Sequence, residues 1–160
     1  MKKAFTIVVL AAFTTLAACA DQSKKEESAK AACEAAPKQL VAKDIKAGTG
    51  VEAKVDTPVL MGYTGWLYDP CAPDHKGTMF DTSTKRVTPL GFIVGTGRVI
   101  KGWDEGVVGM KEGGERLLVI PPDKAYGATG AGSGLIPPNA TLVFEVTLIR
   151  VLVPPTPAAK

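Results

Sequence analysis

One histidine and three cysteines in 160 residues exclude much familiar chemistry. His75 sits among the turn residues Pro70, Cys71 and Pro73 and reads as solvated. It lies far from any nucleophile signature, so a Ser/His/Asp arrangement has no base to rest on. The cysteines and the histidine are scattered, without the spacing of a metal site, and neither metal nor cofactor is expected. Charge of one sign is missing too. With 19 basic and 16 acidic residues, net +3, nothing electrostatic favours nucleic acid as a partner. Gly95-Thr96-Gly97 lacks the third glycine and the following parallel strand of a dinucleotide fingerprint. No internal repeat is present. The apolar run Ala4 to Leu16 is too short for a stable membrane-spanning helix. Asp104 and Glu105 are adjacent, and neighbours in a helix point to different faces, so they read as a solvated pair and not as an acid/base dyad.

What is present begins with the ends of the chain. Lys2 and Lys3 precede the apolar run, which closes on Leu16-Ala17-Ala18-Cys19, the layout of a targeting segment. Those four residues resemble the lipobox of bacterial lipoproteins. The resemblance implies removal of residues 1–18 as a lipoprotein signal peptide and lipidation of Cys19. It also implies a location in the bacterial cell envelope, with Ala20 favouring the outer membrane, facing the periplasm. Loss of Lys2 and Lys3 from 19 basic residues leaves 17 against 16 acidic ones. Residues 19–38 then form a Lys/Ala/Glu-rich tether, with high helix propensity and little apolar periodicity. It lacks the heptads of a dimerisation arm, and a monomer is expected. Once Cys19 is set aside, Cys33 and Cys71 form an even pair in an oxidising compartment and are the disulfide candidates; two free thiols are the alternative.

Residues 39–153 read as one domain and 154–160 as a tail. Seventeen glycines and twelve prolines favour many turns and a β-rich fold. Strands are predicted at 40–46, 51–56, 59–67, 79–83, 89–94, 115–120 and 141–153. The alternation of Leu142, Phe144, Val146 and Leu148 buries one face of the last. Between 99 and 110 the pattern changes to a helical one, with Ile100, Trp103, Val107 and Met110 on one face. Gly102, Gly106 and Gly109 interrupt it, each costing a helix about 1 kcal/mol relative to Ala, so close packing must hold it. The predicted class is α+β, an antiparallel sheet of five to six strands curled around one short helix. What remains for chemistry is an aromatic and aliphatic set, bordered by one carboxylate, Asp81, directly after Phe80. Such a set forms a mostly apolar pocket with few polar groups.

Five motifs then stand in one order: Gly62-Tyr63-Thr64-Gly65, Phe80-Asp81-Thr82-Ser83, Val99-Ile100-Lys101-Gly102-Trp103, Ala125-Tyr126-Gly127, and 136–144, which begins Ile136-Pro137-Pro138 and ends at Phe144. With them residues 40–151 resemble an FKBP-type peptidyl-prolyl cis/trans isomerase. The resemblance implies that fold and a pocket for proline-containing polypeptides and for the family's macrolide inhibitors. Trp103 would be its floor, and Tyr63, Phe80, Val99, Ile100 and Phe144 its walls. The Ile100 N–H and the Tyr126 hydroxyl would donate to ligand carbonyls, and Asp81 would lie beside the carbonyl of the rotating bond. Asp81, Tyr126, Trp103 and Ile100 are thus the catalytic candidates. Ile136 and Leu135 would line a loop edge. Leu90 replaces the family's usual aromatic and slims one wall. The 131–134 stretch is one residue longer than the common pattern and lacks its frequent His, and the 68–78 loop is long.

The implied activity is rotation of X–Pro bonds in exported or envelope proteins. Two other readings share the sequence: a non-catalytic module on the same fold that binds proline-containing peptides as a chaperone, and a structural envelope lipoprotein without a ligand.

Overall fold

The structure is a computed structural model that describes residues 33–85 and 88–152. The signal segment 1–18, Cys19, the tether up to residue 32 and the tail 154–160 lie outside the described residues.

Among the described residues six strands and one α-helix form the domain: β1 (Val41–Lys46), β2 (Pro58–Tyr68), β3 (Lys76–Thr82), β4 (Leu90–Ile93), α1 (Lys101–Gly106), β5 (Glu115–Ile120) and β6 (Leu142–Val151). The sheet is antiparallel in the order β1-β5-β6-β2-β3, with β4 also on β2. β2 explains how one edge carries two strands. Its first residues, Pro58 to Met61, pair with β4, and Thr64 to Tyr68 pair with β3, so β3 and β4 lie end to end. The alternation read in β6 is observed: Leu142, Phe144, Val146 and Leu148 are buried. From β2, Val59, Met61 and Tyr63 join them by the same period of two.

The helix is shorter than the 99–110 pattern predicts. Ile100 is extended (φ −60°, ψ 147°) and only Lys101–Gly106 is helical; Gly109 has φ +79°, a value that glycine adopts without strain. Trp103, Val107 and Met110 are buried nevertheless, because the turn after α1 continues the same face. The helix glycines have a steric purpose. A Cβ on Gly102 would lie 2.3 Å from Ile120 Cγ2, and one on Gly106 would lie 2.8 Å from Leu118 Cδ2. Without side chains there, α1 lies directly on β5. Arg116 of β5 closes the far end: its Nη1 donates to the Gly106 and Val108 carbonyls at 2.8 and 3.1 Å. Its Nε donates to Asp44 Oδ1 at 2.6 Å, and that hydrogen bond holds the Asp44 carboxyl below its ordinary range.

Three sequence expectations are corrected here. Residues 51–56 form no strand, only a bridge of Glu52 to Lys111. Their backbone is bonded instead to the turn after α1, through Ala53 N–H to the Met110 carbonyl (2.7 Å) and Gly109 N–H to the Ala53 carbonyl (2.9 Å). The 68–78 loop is shorter than read: a 3-10 turn at Pro73–His75 leads into β3 at Lys76. Within it His75 is only partly exposed. Its ring stacks on Tyr68 at 4.8 Å, and its Nδ1 is buried with no hydrogen-bond partner among the described residues. Cys33 and Cys71 are joined by a disulfide. Beside it, the Tyr68 hydroxyl donates to the Glu34 carbonyl at 2.7 Å and the Glu34 N–H to the Pro70 carbonyl at 3.0 Å.

Candidate active site

Trp103 is the centre of the site. Its position on the sheet-facing side of α1 leaves it 3% exposed, and aromatic edges surround the indole. Tyr63 of β2 meets it at 5.2 Å and Phe144 of β6 at 5.4 Å, both T-shaped, and Phe92 of β4 is tilted against it at 5.8 Å. These are the edge-to-face separations that ring quadrupoles favour. The indole Nε1 is buried without a hydrogen-bond partner among the described residues. An unsatisfied buried donor costs about 1–3 kcal/mol, so a side chain selected for packing alone would have been Phe.

Above the indole lies a cavity of about 380 Å³, lined by Tyr63, Asp81, Leu90, Arg98, Val99, Ile100, Trp103, Tyr126 and Phe144. Asp81 reaches it from the end of β3. Its Oδ2 accepts from the Tyr63 hydroxyl at 2.6 Å, and its Oδ1 from the Thr82 N–H at 2.8 Å. The next residues fix β3 to β2: the Tyr63 N–H donates to Ser83 Oγ at 2.7 Å, and the hydroxyls of Thr64 and Thr82 are 2.9 Å apart. The carboxylate and the two aromatic walls are therefore set by one hydrogen-bonded corner. Ile100 contributes backbone. Its carbonyl accepts the first helical N–H groups, from Trp103 and Asp104, whereas its own N–H has no acceptor among the described residues.

Tyr126 comes from the long loop after β5. The loop is pinned by Gly127 N–H to the Pro122 carbonyl and by Asn139 N–H to the Gly127 carbonyl, both 2.8 Å. The ring is 39% exposed. Burial, and then the negative charge of Asp81, hold its hydroxyl above the ordinary tyrosine range, so at neutral pH it is a hydrogen-bond donor. The cavity thus offers apolar walls, one N–H, the phenols of Tyr63 and Tyr126, one carboxylate and, at Arg98, one guanidinium. It can seat an apolar ring and receive two carbonyls, and it has no group suited to nucleophilic attack.

Of the residues expected at the pocket, the structure brings together Tyr63, Asp81, Leu90, Val99, Ile100, Trp103, Tyr126 and Phe144. It does not bring Phe80, Leu135 or Ile136 to the wall. Phe80 packs edge-on against Phe144, ring centroids 5.5 Å apart. A Cβ on Gly65 would lie 2.7 Å from both rings, so that glycine permits their contact. Leu135 is 64% exposed, after the 3-10 turn Gly132–Gly134. Ile136 is 6% exposed and part of the core, its backbone bonded in both directions to Ala131 at 3.0 Å. One lining residue was missed: Arg98, which follows Gly97 with no hydrophobic signal to mark it.

Comparison with known proteins agrees with this geometry. Residues 50–149 match the family described as FKBP-type peptidyl-prolyl cis-trans isomerase. The chain is 51% identical over 112 residues to the FK506-binding protein of Neisseria meningitidis serogroup A, covering 70% of this chain and 95% of that one. It is 52% identical over 105 residues to FK506-binding protein 1 of Dictyostelium discoideum, covering 66% of this chain and 91% of that one. The crystal structure of AtFKBP13 superimposes with a TM-score of 0.61 at 38% identity, over 75% of this chain and all of that one.

Proposed function

The chain belongs to the FKBP-type peptidyl-prolyl cis-trans isomerases and turns over X–Pro bonds, and from that premise we propose that it does so in the cavity floored by Trp103. The observation that carries this reading is the convergence there of a buried indole ringed by aromatic edges, an Ile100 N–H without an acceptor, and the Asp81–Tyr63 and Tyr126 hydroxyl groups.

The physics of the reaction fits such a site. An X–Pro bond is planar through resonance, and its rotation costs about 18–20 kcal/mol. Resonance places negative charge on the carbonyl oxygen, which water stabilises. A twisted imide has lost that charge separation, so removal from water penalises the planar state more than the twisted one. The prolyl ring rests on Trp103 between Tyr63 and Phe144. The Ile100 N–H and the Tyr126 hydroxyl hold carbonyls on either side of it, and Asp81 lies beside the carbonyl of the rotating bond. Binding energy from these contacts is spent on the twisted geometry, at about 1.4 kcal/mol for each factor of ten in rate. No proton changes hands, in keeping with a site that has no histidine.

The same cavity would take macrolides of the FK506 class, the ligand in the relatives' names, and their entry over the indole would change Trp103 fluorescence. We further propose that the protein acts on exported and envelope proteins from the periplasmic side of the outer membrane, anchored through lipid on Cys19. Leu16-Ala17-Ala18-Cys19 supports that reading. Fatty-acid labelling that persists in Cys19→Ala would reject it. The decisive assay for the site is X–Pro isomerisation by Asp81→Ala and Tyr126→Phe. Strongly reduced turnover is expected in Asp81→Ala and a smaller, about two- to tenfold, loss in Tyr126→Phe, the scale of one hydrogen bond, and unchanged turnover in both would move the chemistry elsewhere. The non-catalytic reading is not favoured, because the polar groups beside the rotating bond are all in place.

A further inference from the structure

We propose that Arg98 makes this isomerase selective for prolines followed by an acidic residue. The inference rests on the cavity being the isomerase site. Among the described residues two charged side chains line that cavity, Asp81 and Arg98, and they come from different elements, β3 and the loop that enters α1. Asp81 is engaged by the Tyr63 hydroxyl and the Thr82 N–H. Arg98 is exposed, and among the described residues its guanidinium makes no hydrogen bond or ion pair.

The loop that carries Arg98 is held in place. Asp104 of α1 accepts the N–H groups of Gly95 and Gly97, one on each carboxylate oxygen, both at 2.8 Å. Gly95 and Gly97 have φ of +82° and +73°, values that leave their N–H groups free to turn toward that carboxylate. The Thr96 hydroxyl donates to the Ile93 carbonyl at 2.9 Å. The nearest helix carboxylate is thus occupied by backbone donors, and the arginine is presented at the cavity rim on a fixed loop. A guanidinium so placed binds carboxylates by paired N–H donors.

Direction along the substrate follows from the two ends of the cavity. The carbonyl before the proline lies by Asp81, and the ring rests on Trp103. The chain beyond the ring then passes Ile100, two residues from Arg98. An acidic side chain immediately after the proline would meet Arg98.

The test compares kcat/KM for four blocked peptides, Ala-Leu-Pro-Glu, Ala-Leu-Pro-Gln, Ala-Leu-Pro-Lys and Ala-Glu-Pro-Gln, measured by NMR exchange on the whole protein. The expected order is Glu above Gln above Lys after proline, with about threefold between Glu and Gln, the scale of a solvent-exposed ion pair. The difference should shrink in high salt. It should vanish in Arg98→Gln and reverse in Arg98→Glu. Each ratio is taken within one variant, so partial unfolding alters both rates together and leaves the ratio intact. Equal Glu and Gln rates in the wild type, a preference that survives Arg98→Glu, or a gain from Glu before the proline instead would each overturn the assignment while leaving the isomerase site standing. No acceleration of any peptide would overturn both.

Discussion

Trp103 and Tyr126 divide the work of the pocket between surface and polarity. In the proposed site the indole would give the prolyl ring a dry floor, and the phenol would supply a donor that apolar walls cannot. Replacing Tyr126 by Phe removes one hydroxyl and little volume. Loss of one hydrogen bond to the bound peptide, about 0.5–1.5 kcal/mol, should lower kcat/KM for a Leu-Pro peptide about two- to tenfold, without a measurable change in melting temperature. The pH profile gives an independent check. The hydroxyl titrates above the ordinary tyrosine value, first through burial and then through Asp81. The protonated donor is therefore favoured in the folded protein, complete below about pH 10 and lost only as pH rises through the raised value. Turnover should be flat across the neutral and mildly alkaline range and fall above about pH 10, with that fall absent in Tyr126→Phe. At this scale the motifs made most of the site legible, because Tyr63, Asp81, Val99, Ile100, Trp103, Tyr126 and Phe144 each sit in a short run of fixed order. Arg98 was not legible, since a charged residue after a glycine turn looks like any solvated one. Phe80 and Ile136, expected at the pocket from the resemblance, are partly or fully buried beside it, Phe80 against the ring of Phe144 and Ile136 in the core.

The helix shows how an element can contradict its own propensities. Glycines at 102 and 106 weaken α1 as a helix, and they were readable as a sign of close packing. The structure gives the partners, Ile120 and Leu118 of β5. Gly102→Ala should raise helix propensity yet destabilise the domain, by about 1–3 kcal/mol as an overpacked core substitution, read as a lower denaturant midpoint. A stabilised variant would show that α1 does not rest on β5 as described. The helix boundary was not legible, because Val107 and Met110 remain buried after the helical hydrogen bonds end, and burial is what the apolar pattern reports. The false strand at 51–56 has the same origin. Ala53 is buried, but its backbone partners lie in the turn after α1, and pairing is not written in hydropathy.

For the whole molecule, the antiparallel order places β2 and β6 at the centre, with the cavity where α1, β2, β3, β4, β6 and two loops meet. The disulfide ties residue 33 to the loop after β2, across 38 residues of chain. Removal by Cys33→Ser with Cys71→Ser should cost about 2–4 kcal/mol on a chain-entropy basis, seen in the denaturant midpoint, and leave kcat/KM intact because neither residue lines the cavity. A loss of turnover at full folding would link that loop to the site. The most direct test of the pocket as a twisting device is the relaxation of a Leu-Pro peptide from cis to trans, with wild type compared with Trp103→Leu. Uncatalysed relaxation takes tens to hundreds of seconds. Catalytic amounts of the wild type should shorten it by orders of magnitude, and the variant, confirmed folded by circular dichroism, should lose most of that acceleration. A wild-type relaxation no faster than buffer, or a folded Trp103→Leu of full activity, would contradict it.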